Sequence, residues 1–137
     1  MVFVGTANAM AHPKEPTNHI YVYELMEDGR LEERSRADAP SSPGFLCYEP
    51  RRRVVYSVHS ASTVPDSKPA EPSGFVSAYL FDPKTWQLRL LNTQSCCGLG
   101  PAHVSVSEDG RYVLVANYGA VSSSPWPSFS PSPCRSL

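Results

Sequence analysis

Neither sign of charge predominates in this 137-residue sequence: 12 Lys and Arg stand against 13 Asp and Glu, for a formal net charge of −1. Affinity for nucleic-acid phosphates or an anionic membrane surface draws on a basic excess, so neither partner class is expected. No apolar run approaches the roughly 18 residues of a membrane-spanning helix. The opening stretch Met1-Val2-Phe3-Val4-Gly5-Thr6 has no basic start and is too short an apolar segment for a secretory leader. Four cysteines are too few for a disulfide framework and follow no zinc-binding spacing. The four histidines likewise lack a His-x-x-x-His pattern, so no metal site is expected. A reduced, cytoplasmic protein is the expectation. Helical periodicity is missing as well: 14 prolines and eight glycines separate short apolar runs, which points to β-structure.

What the sequence does contain is an internal repeat. Pro43-Gly44-Phe45-Leu46-Cys47-Tyr48 lies over Pro101-Ala102-His103-Val104-Ser105-Val106, an offset of 58 residues. At the same offset Arg53-Val54-Val55-Tyr56-Ser57-Val58-His59 falls on Arg111-Tyr112-Val113-Leu114-Val115-Ala116-Asn117. Each copy reads as two short strands joined by a turn. In the second copy the turn is Glu108-Asp109-Gly110, a strong hairpin signal, where the first copy has the weaker Arg51-Arg52. A further pair repeats: Ile20-Tyr21-Val22-Tyr23-Glu24-Leu25 over Val76-Ser77-Ala78-Tyr79-Leu80-Phe81, each followed by a polar turn and a strand containing Leu31 or Leu88.

The unit is therefore four antiparallel strands, a to d, and a four-stranded repeat of roughly 40–60 residues is the mark of a β-propeller blade. Phe3-Val4-Gly5-Thr6 aligns with Leu114-Val115-Ala116-Asn117, which makes it a b strand. The expected fold is all-β: strands b to d of blade one, all of blade two, and a and b of blade three, about nine strands over residues 1–120. After Gly119 the pattern stops. Residues 121–137 hold seven serines and four prolines without alternation, where another c strand is due. The expectation is a segment without strands, either a disordered Ser/Pro-rich tail or sequence foreign to the fold.

The run Gly100-Pro101-Ala102-His103-Val104-Ser105-Val106-Ser107-Glu108-Asp109-Gly110-Arg111-Tyr112-Val113-Leu114-Val115-Ala116-Asn117-Tyr118-Gly119 resembles the blade motif of the propeller-type lactonases, a family of bacterial-type 6-phosphogluconolactonases and carboxymuconate cyclase-like enzymes. Val4-Gly5-Thr6, Ile20-Tyr21-Val22-Tyr23 and Leu91-Asn92-Thr93-Gln94-Ser95 are similar to it too. The resemblance covers about residues 2–120 and implies a seven-bladed propeller of which only part is present. It implies hydrolysis of 6-phospho-glucono-1,5-lactone without a cofactor, on a small anionic lactone or sugar-phosphate substrate. A carboxymuconate-type lactonizing cyclase is the alternative, and a non-enzymatic fragment is a third reading. Nine strands cannot close a ring, so the chain by itself is expected to be inactive.

Hairpin geometry puts the start of strand a and the end of strand b at one rim. His103, Asn117, Tyr118 and His59 are thereby expected together, with the longest loops, residues 7–19 and 60–74, opening on the same rim. His103 is the candidate catalytic residue. The resemblance places a matching histidine there on a channel-lining strand, and imidazole suits activation of water against a lactone carbonyl. The plainer reading is a strand-start histidine hydrogen-bonded to a neighbouring blade. His59, Asn117 and Tyr118 are candidate substrate contacts, against plainer readings of a solvated loop residue for His59 and backbone-satisfying groups for the other two. His12 and His19 read as structural or solvated. Asp66 and Glu71, in a loop, give no metal site. Cys96 and Cys97 are expected as free thiols, and Arg51-Arg52-Arg53 as a solvated basic turn on the far side from His103.

Overall fold

The computed structural model describes residues 1–6, 18–60 and 74–118, and the backbone of 126–127. The chain is a partial β-propeller, with no helix among the described residues. Blade one is β1 (Val2–Thr6), β2 (His19–Leu25) and β3 (Leu31–Asp38), hydrogen-bonded in that order. Blade two is β4 (Pro43–Glu49), β5 (Val54–His59), β6 (Phe75–Phe81) and β7 (Leu88–Ser95), again in sequence order. Blade three contains β8 (Pro101–Val106) and β9 (Tyr112–Asn117). All pairings are antiparallel. The nine strands read from the repeat are all present at their expected places.

A tenth strand corrects the expectation for the C-terminal segment. β10 (Trp126–Pro127) pairs with β9, Trp126 opposite Val113 and Pro127 opposite Tyr112. It occupies the place of strand c. Proline has no N–H to give a ladder, which confines it to edges, and a two-residue strand on an open edge meets that limit. The remainder of 119–137 lies outside the described residues.

The repeat extends to backbone irregularities. β4 and β5 slip register between Pro43 and Phe45, and β8 and β9 slip between Pro101 and His103, 58 residues on. β2–β3 slips between Val22 and Tyr23, and β6–β7 at the aligned Ala78 and Tyr79. Bulges add twist at fixed points of a strand, so their recurrence gives successive blades the same shape.

Alternation along the strands turns one face of each sheet toward each neighbour. Between blades one and two, Ile20 and Val22 with Phe3 meet Val55, Tyr79, Phe81 and Leu88. Phe3 meets Phe81 edge-on, ring centroids 5.3 Å apart, and Tyr48 lies 5.3 Å from Phe3. The seam between blades two and three is mainly aliphatic: Val54, Tyr56, Val58 and Val76 against Val104, Val113 and Val115. Each fully buried side chain of this size contributes about 1.5–3 kcal/mol relative to exposure.

Polar groups clamp both seams. The Ser35 hydroxyl of blade one donates to the Trp86 carbonyl of blade two. The Arg51–Arg53 turn, expected to be solvated, instead reaches across to blade three. Arg51 donates to the Glu108 carbonyl at 2.8 Å, and Arg52 donates to that of Gly110. Buried Glu49 shapes this turn by accepting the Arg51 and Arg52 backbone N–H groups at 3.0 and 2.7 Å. Gly110 has φ +68°, a conformation a side chain resists, and it closes the turn the arginines grip. Beside it the Ser107 hydroxyl and the Arg111 N–H groups hold the Asp109 carboxyl well below the usual carboxylate range.

Because the core is the seam between blades, its loss should be costly. Phe81→Ala is expected to lower unfolding stability by about 3–5 kcal/mol, whereas Leu90→Ala, at an exposed position of β7, should change it by no more than about 0.5 kcal/mol. Urea denaturation of both variants is the check, and equal losses would refute the assignment of the core.

Candidate functional site

The strand order makes β4 and β8 edge strands of their sheets, and they lie beside one another. Residues that occupy equivalent positions on these first strands are therefore brought together. Phe45 and His103 are such a pair, and their rings touch, centroids 4.3 Å apart and inclined by 50°. The remaining surface of His103 is exposed. Its contact with the neighbouring blade is this ring contact rather than the hydrogen bond considered from sequence. Phe45 is the neighbour of His103 that sequence reasoning passed over. The signal was available, since the offset of 58 that found the repeat lays Phe45 directly on His103.

Asn117 and Tyr118 share the rim with His103, but not its direction. Asn117 pairs with Pro101, and His103 pairs with Ala116, so His103 and Asn117 leave the hairpin on opposite faces. The Asn117 amide donates to the Cys96 carbonyl at 3.2 Å. It packs so closely on Gly98 that a Cβ there would collide with the Asn117 side chain. Asn117 thus secures the loop leading into β8. The Tyr118 N–H donates to the Gly100 carbonyl at 2.9 Å, and its side chain projects into solvent.

His59 departs furthest from expectation. It pairs with Pro43 as Asn117 pairs with Pro101, but it is fully buried rather than solvated. Its ring stacks on Phe75, centroids 4.6 Å apart, and Nδ1 lies 3.0 Å from the Ser41 carbonyl. A carbonyl only accepts, so Nδ1 carries the proton and Nε2 is the bare nitrogen. Burial pushes the His59 pKa down to about 4, only partly offset by the hydrogen bonds to the Ser41 and Ser42 backbone. At neutral pH His59 is an uncharged packing group, a state that does not suit direct contact with an anion.

His19 meets the structural expectation: its Nδ1 lies 3.1 Å from an Asp38 carboxylate oxygen across the β2–β3 ladder. Cys47 is a free thiol whose pKa burial raises, and the buried Cys96 thiol donates to the Gly98 carbonyl at 3.4 Å. Cys97 is disulfide-bonded, which corrects the expectation of a free thiol there. His12, Asp66, Glu71 and most of the two long loops lie outside the described residues. Among the described residues no cluster of three or more His, Cys, Asp or Glu is placed to hold a metal ion, and no helix is long and apolar enough to cross a membrane.

The geometry so far is a row of propeller blades with a histidine on the inner strand. The sequence profile of the family described as "Lactonase, 7-bladed beta-propeller" matches residues 1–128. The chain belongs to this lactonase family. It is 31% identical over 117 residues to the 6-phosphogluconolactonase of Bacillus subtilis and 27% identical over 118 residues to that of Formosa agariphila. Each match covers 85% of this chain and 30% of the relative. The crystal structure of a 6-phosphogluconolactonase candidate from Bacteroides fragilis superposes with a TM-score of 0.70 at 25% identity, over 97% of this chain and 33% of that one. The chain thus spans about a third of the length of the lactonases it matches. The profile runs through β10, in keeping with the strand seen there.

The state of His59 gives a pH dependence. Its folded pKa of about 4 lies below the ordinary value of 6.5, so between these values the unfolded chain binds the proton more readily. Stability contributed by the neutral imidazole is complete above pH 6.5 and falls as the pH drops toward 4, by an amount on the order of 3 kcal/mol. His59→Asn, which installs the amide found at the equivalent position of blade three, should flatten that part of the curve. Urea denaturation from pH 7 to pH 4.5 tests this, and an unchanged slope would count against a buried neutral His59.

Proposed function

We propose that the protein to which this chain belongs hydrolyses 6-phospho-glucono-1,5-lactone, with His103 as the group that activates water. The observation carrying this reading is an exposed imidazole on an inner strand of a lactonase propeller, its ring in tilted contact with that of Phe45. The relatives' names supply the lactone and its phosphate. The ring contact limits imidazole motion without using a nitrogen, which suits a base that must accept a proton.

In the reaction the imidazole accepts a proton from water as the water oxygen bonds to the lactone carbonyl carbon. The tetrahedral oxyanion then collapses, the bond from that carbon to the ring oxygen breaks, and the ring oxygen takes up a proton to become a hydroxyl. The product is an open-chain acid. Electrostatic partners for the oxyanion and phosphate are required as well, and in this reading they come from blades beyond the three described. Tyr118, exposed on the rim of the His103 hairpin, is the remaining candidate for a substrate contact. Asn117 and His59 act on the site through the backbone they hold. A cytosolic setting belongs to the same reading and is supported by the free thiol of Cys47.

In a full-length lactonase carrying this segment, His103→Gln is expected to lower kcat for the phosphorylated lactone by about 10²–10⁴-fold with intact folding. Phe45→Ala, which frees the ring, should cost less. The 137-residue chain alone should show no turnover above its own His103→Ala control. Proton release on lactone opening is a direct readout, and full activity of the His103→Gln enzyme would sink the assignment.

A further inference from the structure

Each inner strand opens on a proline, Pro43 in β4 and Pro101 in β8, the strand-start position where a missing N–H is tolerated. Each proline sits against a glycine of the preceding blade. Gly74, buried at the entry to β6, meets Pro101: a Cβ on it would overlap the proline ring, colliding with Cδ and lying 2.6 Å from Cγ. In blade one a Cβ on Gly5 would come 2.7 Å from the Pro43 carbonyl oxygen and 3.1 Å from its ring carbons. Neither glycine has a left-handed φ, so both are required by space and not by conformation. The ladder slips directly after each proline, between Pro43 and Phe45 and between Pro101 and His103. Phe45 and His103, whose rings touch, are thus the first paired residues beyond the slip on their strands.

We propose that Gly74 is a positioning residue, setting the place of the His103 imidazole through Pro101; its consequence for the reaction rests on the reading of His103 as the base. A methyl group at position 74 has no room to retreat. The Gly74 N–H donates to the Gly98 carbonyl at 2.8 Å, the Gly74 carbonyl accepts the Cys96 N–H at 3.0 Å, and the His59 carbonyl oxygen closes the other side, 3.1 Å from the added carbon. Close-packed interiors transmit such strain, and the yielding partner is Pro101, whose carbonyl is held by the Ser60 hydroxyl at 3.4 Å. Pro101 lies at the bulge two residues before His103, so its displacement turns the strand that carries the imidazole. A glycine serving stability alone would leave the ring of the folded enzyme where it is.

In a full-length lactonase carrying this segment, Gly74→Ala should lower kcat by about 10–100-fold with KM unchanged, the pattern of an interaction made only in the transition state. Circular dichroism establishes that the variant is folded. In histidine-labelled enzyme the Hε1 resonance of His103, assigned by its loss in His103→Gln, should shift, since it lies in the field of the Phe45 ring. Pro101→Ala removes both ring atoms that the methyl group would meet, so in that background Gly74→Ala should cost little more, and the two losses should be non-additive. Should Gly74→Ala fail to fold, Pro101→Ala alone tests the contact: with the seat emptied, the resonance should shift and kcat fall by about threefold or more. A folded variant whose His103 resonance stays in place overturns the proposal. So does a Gly74→Ala loss that persists undiminished beside Pro101→Ala. A resonance that shifts while kcat holds keeps Gly74 as the seat of His103 and removes instead the reading of His103 as the base.

Discussion

A sheet of three or four strands has two faces and no interior, so each blade depends on its neighbour for a core. Almost everything observed in this chain follows from that dependence. Val55 and Val54 are adjacent in β5, yet they belong to different cores, one shared with blade one and the other with blade three. A strand buried on both faces loses polar-apolar alternation, and β5 is buried at all six positions. β3 and β9 keep exposed positions among the described residues.

The same dependence explains what was legible in the sequence. A repeating fold writes its period into the chain, so the recurring motifs located the nine strands. Contacts between blades have no such signature. Arg51, Arg52 and Arg53 read as a solvated basic turn because nothing local shows that carbonyls of Glu108 and Gly110 stand within reach. His59 read as a rim residue because its position in the strand is clear, whereas its burial depends on Phe75 and Ser41 closing over it. Trp126 and Pro127 read as tail because two residues carry no periodicity, and only the free edge of β9 reveals them as a strand.

For the candidate site the limit is of another kind. Rim membership follows from hairpin direction, and the structure keeps His103, Asn117 and Tyr118 at one end of blade three. Convergence on a pocket is a matter of faces, and a bulge at Pro101–His103 changes which residues share one. With that shift His103 pairs with Ala116, and Asn117 turns the other way. Among the described residues β4 and β8 are the neighbouring edge strands that bring Phe45 to His103.

The polar residues that end the b strands have a common task that bears on that site. Thr6, His59 and Asn117 occupy equivalent positions, and each directs a side-chain donor to a backbone carbonyl. Thr6 Oγ1 reaches His19 at 3.2 Å, His59 Nδ1 reaches Ser41 at 3.0 Å, and Asn117 Nδ2 reaches Cys96 at 3.2 Å. Ser41 and Cys96 lie in the connections that deliver the chain from one blade into strand a of the next. A hydroxyl, an imidazole and an amide have little in common except a donor, and satisfying a carbonyl inside a tight connection asks for little else. Variety of residue type at one position therefore fits a mechanical role better than recognition of a particular substrate. By anchoring the entry to β4 and β8, these residues fix the strands that carry Phe45 and His103, so the histidine owes its place as much to its buried neighbours as to its own strand.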